Sequence, residues 1–231
     1  MRIVIFSIII IFLSGCNQVN LVSSGSDIAK VIWNLPQHNN LVYQNKNTLD
    51  ENFFEKAEST LDNGFLYIIL SSTGSPAANL ISTFTKQEYA HTSISFDENL
   101  ETVVSYNGGN GIAAPGMNWE TVDFFNQKED ASYIIYRLHA NKDQKKQVLN
   151  KVRQINEQGS SYNFLGLFLP FKMRENIMYC SQFVYSLLIT AGLDYFQIDP
   201  CKVQPIDFIR LDYDRKLEFC GTVFLKDLEI Y

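Results

Sequence analysis

Two side chains of this sequence have the types that nucleophilic catalysis needs, a thiol at Cys180 and an imidazole at His91. Cys180 opens the segment Tyr179-Cys180-Ser181-Gln182-Phe183-Val184-Tyr185-Ser186-Leu187-Leu188. At helical spacing Phe183, Val184, Leu187, Leu188 and Ala191 make one apolar stripe, with Cys180 at its N-terminal end. A thiolate there meets free backbone N–H groups and the positive end of the helix dipole, which lowers its pKa. His91 sits in Ala90-His91-Thr92-Ser93-Ile94-Ser95-Phe96. Strand alternation puts Thr92, Ile94 and Phe96 on a core-like face and His91, Ser93 and Ser95 on a polar one. An imidazole that takes the thiol proton frees a thiolate to attack a carbonyl. Either residue alone is more often a packing residue. The pair carries weight because both point toward one cleft.

The elements that must position them follow from the pattern. A strand is expected at Phe65–Ser71, rich in β-branched and aromatic residues. Ser75-Pro76 opens a helix to about Phe84, with serine as cap and proline in the first turn. Strands follow at Ala90–Phe96 and Thr102–Asn107, then a Gly-rich loop, a short segment near Trp119 and a strand at Ser132–His139. Asn141 caps a polar helix with Val148, Val152 and Ile155 on one face, stopped by Gly159. The Cys180 helix runs to Ala191 and stops at Gly192, and short strands around Glu218–Leu225 close the chain. Strands clustered before and after helices, without regular βαβ alternation, predict an α+β domain.

The N-terminus carries a different signal. Arg2 precedes an apolar run from Ile3 to Leu13, too short to span a bilayer, and Leu13-Ser14-Gly15-Cys16 follows. This ending resembles the bacterial lipobox, which implies a signal peptide over 1–15 and lipid on Cys16, with more than one acyl chain for a stable anchor. The expectation is a membrane-anchored protein of the cell envelope. Asn17 after the cysteine favours the outer membrane where one exists; otherwise the anchor lies on the outer face of the plasma membrane. Residues 16–63 read as a tether with a short helix around Asp27–Trp33 and a lead-in helix over 49–62, and 64–231 as the ordered domain.

The chain has 231 residues, 19 basic and 25 acidic, for a net charge of −6; this excludes nucleic acid as an expected partner. Cys201 and Cys220 read either as a disulfide or as two buried free thiols. His38 and His139 have no cysteine or acid at metal-ligand spacing, so no metal or other cofactor is expected. Gly108-Gly109-Asn110-Gly111 is not a phosphate loop, because no Lys-bearing helix start follows. The eight-residue run 164–171 (FLGLFLPF) reads first as core, and otherwise as the lining of an apolar groove or a membrane contact.

His-x-Ser-Ile-Ser-Phe-Asp-Glu from His91, Tyr-Asn-Phe-Leu-Gly-Leu from Tyr162 and Tyr-Cys-Ser-Gln-Phe-Val-Tyr from Tyr179 resemble the circularly permuted papain-like NlpC/P60 superfamily, in its YiiX-like branch. There the His strand precedes the Cys helix, as His91 precedes Cys180. The resemblance covers roughly Phe65 to the C-terminus and implies an antiparallel sheet packed against helices. It also implies a third polar residue on the strand after the histidine, orienting the imidazole. Ser105 stands at that position, and Asn107, on the same face, is the closer chemical analogue of an orienting amide. Tyr162 matches a family tyrosine near the oxyanion site, or is a packed aromatic. The implied activity is a thiol hydrolase cleaving an amide bond, with cell-wall peptide as the implied substrate. The alternatives are an acyltransferase or lipid esterase on the same fold, and a non-catalytic binding lipoprotein.

Overall fold

The computed structural model describes residues 49–72, 89–109, 114–120, 132–164, 166 and 175–224. Residues 1–48, with the expected signal peptide, Cys16 and most of the expected tether, the expected helix from Ser75 and all of 164–171 except Phe164 and Gly166 lie outside them. The chain divides between Gln37 and His38, and every described residue falls in the second unit.

That unit is α+β: an antiparallel sheet packed against helices. Its strands are β1 (Phe65–Ser72), β2 (His91–Ser95), β3 (Val104–Asn107), β4 (Gly116–Trp119), β5 (Ser132–His139) and β8 (Leu217–Phe224), in the order β4-β3-β2-β1-β5-β8. A separate parallel pair joins β6 (Ser161–Tyr162) to β7 (Ile177–Met178). The helices are α1 (Glu51–Ser59), α2 (Lys142–Gln158), α3 (Cys180–Thr190) and the short α4 (Asp207–Arg210). Leu217–Phe224 forms one eight-residue strand, where the sequence suggested short strands around Glu218–Leu225.

Local rules account for the boundaries. The Asn141 carboxamide accepts from Gln144 N at 2.9 Å, while the Gln144 side chain accepts from Asn141 N at 3.0 Å, a complete capping box at the start of α2. Asp50 caps α1 by accepting from Phe53 N at 3.2 Å. Gly64, at φ 80°, supplies the left-handed turn that swings the chain from a 3₁₀ turn into β1.

One face of the sheet presents Leu66, Ile68, Leu70, Ile94, Val104, Tyr106 and Leu138 to the helices. Against it pack Val148, Val152 and Ile155 of α2 and Phe183, Val184, Leu187 and Leu188 of α3. Burying each such side chain is worth ~1.5–3 kcal/mol. Phe53, Phe54 and Ala57 of α1 are equally buried, so α1 is part of the domain body and the boundary expected at Gly64 falls too late. The reason is long-range: the apolar face of α1 packs on residues well beyond it, Phe53 meeting the rings of Phe96 and Trp119. Lys145, fully buried, ties these layers together. Its ammonium donates to Thr60 O at 2.7 Å, to Phe96 O at 2.8 Å and to Asn63 Oδ1.

Candidate functional site

The opposite face of the sheet is polar at its β2–β3–β4 end. The pairs Ile94↔Val104, Ser105↔Asn118 and Asn107↔Gly116 set the parity. His91, Ser93, Ser105, Asn107, Asn118 and Glu120 therefore share that face. Glu120 follows β4, and its N–H donates to Val103 O at 2.9 Å, which keeps it in line with the strand.

His91 opens β2 and is buried. Its Nε2 lies 2.8 Å from Glu120 Oε1, and the Glu120 side chain is fully shielded from solvent. The ring is also hydrogen-bonded to Cys180, and with Nε2 committed to Glu120 the nitrogen left for the sulfur is Nδ1. Burial alone would push the imidazole pKa down. The Glu120 carboxylate and the bond to Cys180 outweigh burial and raise it from 6.5 to about 10, so the ring is a cation at neutral pH.

Cys180 is the first residue of α3, and Tyr179 before it is extended and supplies no side-chain cap. The first-turn N–H groups are therefore open to other acceptors. Burial pushes the thiol pKa up, but the bond to His91, the His91 charge and the N–H groups of Thr92 and Ser181 more than offset it. The balance lies below the ordinary thiol value. The Thr92 N–H is available because the β2–β3 ladder is confined to Ile94↔Val104. Tyr162 on β6 is also hydrogen-bonded to Cys180; burial first, and then the sulfur, push its phenol pKa well up. Its ring packs edge-on against Phe164 with centroids 4.7 Å apart.

The structure thus brings together His91, Cys180 and Tyr162, and does not bring Ser105 to the imidazole. The Ser105 hydroxyl, fully buried, donates to Thr92 O at 2.5 Å. It bridges the two strands where their ladder is open. The side chain that meets the imidazole at Nε2 is Glu120, one strand further on. Asn107 reaches the same group indirectly, its Nδ2 donating to Glu120 Oε1 at 3.0 Å. The signal for Glu120 was an acid ending the segment near Trp119, on the alternation of Asn118.

Cys201 and Cys220 form no disulfide, and with Cys201 partly exposed and Cys220 exposed on β8 they are not a buried pair either. Burial pushes the Cys220 thiol up, opposite to Cys180. His139 ends β5 with its ring against Phe65. Among the described residues no group of three His, Cys, Asp or Glu side chains could hold a metal, and no helix is long and apolar enough to cross a membrane.

Comparisons of the chain with models of protein families, with curated proteins and with solved structures found no match.

Proposed function

We propose that the chain is a thiol hydrolase that cleaves an amide bond through Cys180, His91 and Glu120, built on the permuted papain-like plan of the NlpC/P60 superfamily. The observation that carries this reading is one line of contacts: a buried thiol with a lowered pKa bonded to an imidazole whose other nitrogen is held by a buried carboxylate. The order of His strand before Cys helix and the antiparallel sheet against helices support the fold assignment.

The chemistry follows from protonation states. The Cys180 thiolate attacks the carbonyl carbon, and the electron pair of the C=O bond moves to its oxygen. As the tetrahedral adduct collapses, the C–N bond breaks and the His91 imidazolium gives its proton to the leaving amine. A water then attacks the thioester as neutral His91 takes its proton; collapse of this second adduct breaks the C–S bond and releases the acid, leaving the Cys180 thiolate beside the His91 imidazolium. Glu120 keeps the ring in the orientation and tautomer that present Nδ1 to the sulfur and stabilises the cation. The lipobox-like ending at Cys16 supports a lipid-anchored enzyme of the cell envelope, with cell-wall peptide as its substrate class.

A second reading, acyl transfer or ester cleavage on a lipid, is favoured by the Tyr162–Phe164 aromatic pair beside the sulfur. The test is to incubate the protein and a Cys180→Ser control with cell-wall peptide fragments and, separately, with short acyl esters, following products by mass spectrometry. New amino termini from the peptides support the first reading, and ester cleavage alone the second. Activity that survives in Cys180→Ser, or no turnover and no covalent adduct on Cys180 with either substrate, overturns both and leaves a binding lipoprotein.

A further inference from the structure

The Glu120 carboxylate is held by more than His91. Ser93, fully buried two residues along β2, donates its hydroxyl to Glu120 Oε2. Asn107, at the end of β3, donates Nδ2 to Oε1, the oxygen that also meets His91. Asn107 is itself oriented, because its Oδ1 accepts from Asn118 Nδ2 at 2.9 Å and from Gly109 N at 3.0 Å. That fixes which end of the amide faces Glu120. Ser93 Oγ and Asn107 Nδ2 thus each donate to one oxygen of the Glu120 side chain. Neither donor touches the reacting sulfur through any of these bonds.

We propose that Ser93 and Asn107 are positioning residues: together they put a donor on each oxygen of Glu120, hold it in line with His91 Nε2, and through it set how readily Cys180 gives up its proton. This rests on the thiol-site reading above. Two alternatives for the same atoms are weaker. Asn107 does not orient the imidazolium directly: the ring donates to Glu120 and Cys180, and the Asn107 Oδ1 that could accept from it takes Asn118 Nδ2 and Gly109 N instead. Ser93 is not a second nucleophile, since its hydroxyl is fully buried and engaged. The ionisable groups around His91 and Cys180 are Glu120 from the end of β4, Tyr162 from β6 and Tyr179 ahead of α3. Only Glu120 is bonded to Ser93 and Asn107.

The experiment titrates the ultraviolet absorbance of the Cys180 thiolate against pH, with Cys180→Ser as the blank, in wild type, Ser93→Ala, Asn107→Leu, Glu120→Gln and the two double variants carrying Glu120→Gln. Each single donor loss should move the thiolate midpoint up by about one pH unit, a tenfold change in the equilibrium, with cooperative melting retained. On the Glu120→Gln background the same substitutions should move it little, because the charge they position is gone. Unchanged midpoints in the single variants, or shifts that persist undiminished without Glu120, overturn the inference. A variant that no longer melts cooperatively is set aside, and the other donor decides. A wild-type midpoint at the ordinary thiol value instead overturns the thiol-site reading itself. The two failures are therefore distinguishable, and neither measurement requires the substrate.

Discussion

Replacing Glu120 with Gln removes one charge while preserving nearly all the shape around it. The Gln carboxamide oxygen can occupy the Oε1 position, still accepting from His91 Nε2 and Asn107 Nδ2, and its NH₂ can turn to the Ser93 hydroxyl oxygen. What disappears is the attraction between a carboxylate and an imidazolium. With charge centres roughly 4 Å apart and an effective dielectric of about 20, that attraction is worth about 4 kcal/mol, or about three pK units. The retained hydrogen bond keeps part of it, so the thiolate–imidazolium pair should become ~100-fold less favoured. The sign is fixed. A weaker cation beside Cys180 means a higher thiol pKa and a smaller thiolate fraction at neutral pH. The assay is the rate of Cys180 alkylation by iodoacetamide as a function of pH, read at the Cys180 peptide by mass spectrometry so that Cys201 and Cys220 do not contribute. The inflection should move up toward ~8.5, the ordinary cysteine value. A Glu120→Gln protein that folds and alkylates with the wild-type profile would refute the role of Glu120 altogether.

Three further outcomes are expected. The pH profile of kcat/KM should be bell-shaped: activity falls on the acid side as Cys180 is protonated below the usual thiol range, and on the alkaline side as His91 loses its proton near 10, the two limbs belonging to the coupled pair. Lys145→Met should lower unfolding free energy by about 2–4 kcal/mol in chemical denaturation, because Thr60 O, Phe96 O and Asn63 Oδ1 lose their buried donor, while Cys180 alkylation in the folded protein stays as in wild type. Cys16→Ala should shift the protein from the membrane fraction to the soluble exported fraction or leave it unprocessed; a cleaved variant that still sediments with membranes would refute lipidation at Cys16.

The parts of the domain that local periodicity governs were legible in the residues. Ser132–His139 is a strand over the expected span, and Asn141 and Gly159 bracket α2 as capping chemistry requires. His91 and Cys180 could be paired from parity and helix phase alone. Glu120 could not, because alternation gives the face of a strand but not which strand lies next to which. Ser105 satisfied the local pattern, yet its hydroxyl found the closer Thr92 carbonyl left open by the short β2–β3 ladder. The start of the domain was misplaced for a similar reason. The polar face of α1 is plain in the sequence, whereas the slot that receives Phe53 and Phe54 is built by residues far along the chain. The state of Cys201 and Cys220 also depended on long-range placement, which spacing in the chain does not encode.

The His91–Glu120 bond closes a span of 29 residues, and α3 must dock against β2 and β3 before Cys180 meets either Thr92 N–H or the imidazole. Such non-local contacts form late and together. An unfolded copy of this chain therefore carries an unremarkable thiol at position 180, with the acidity of any free cysteine. On the thiol-hydrolase reading proposed above, any reactivity of Cys180 beyond that of a free cysteine is therefore a property of the folded domain and not of the unfolded chain.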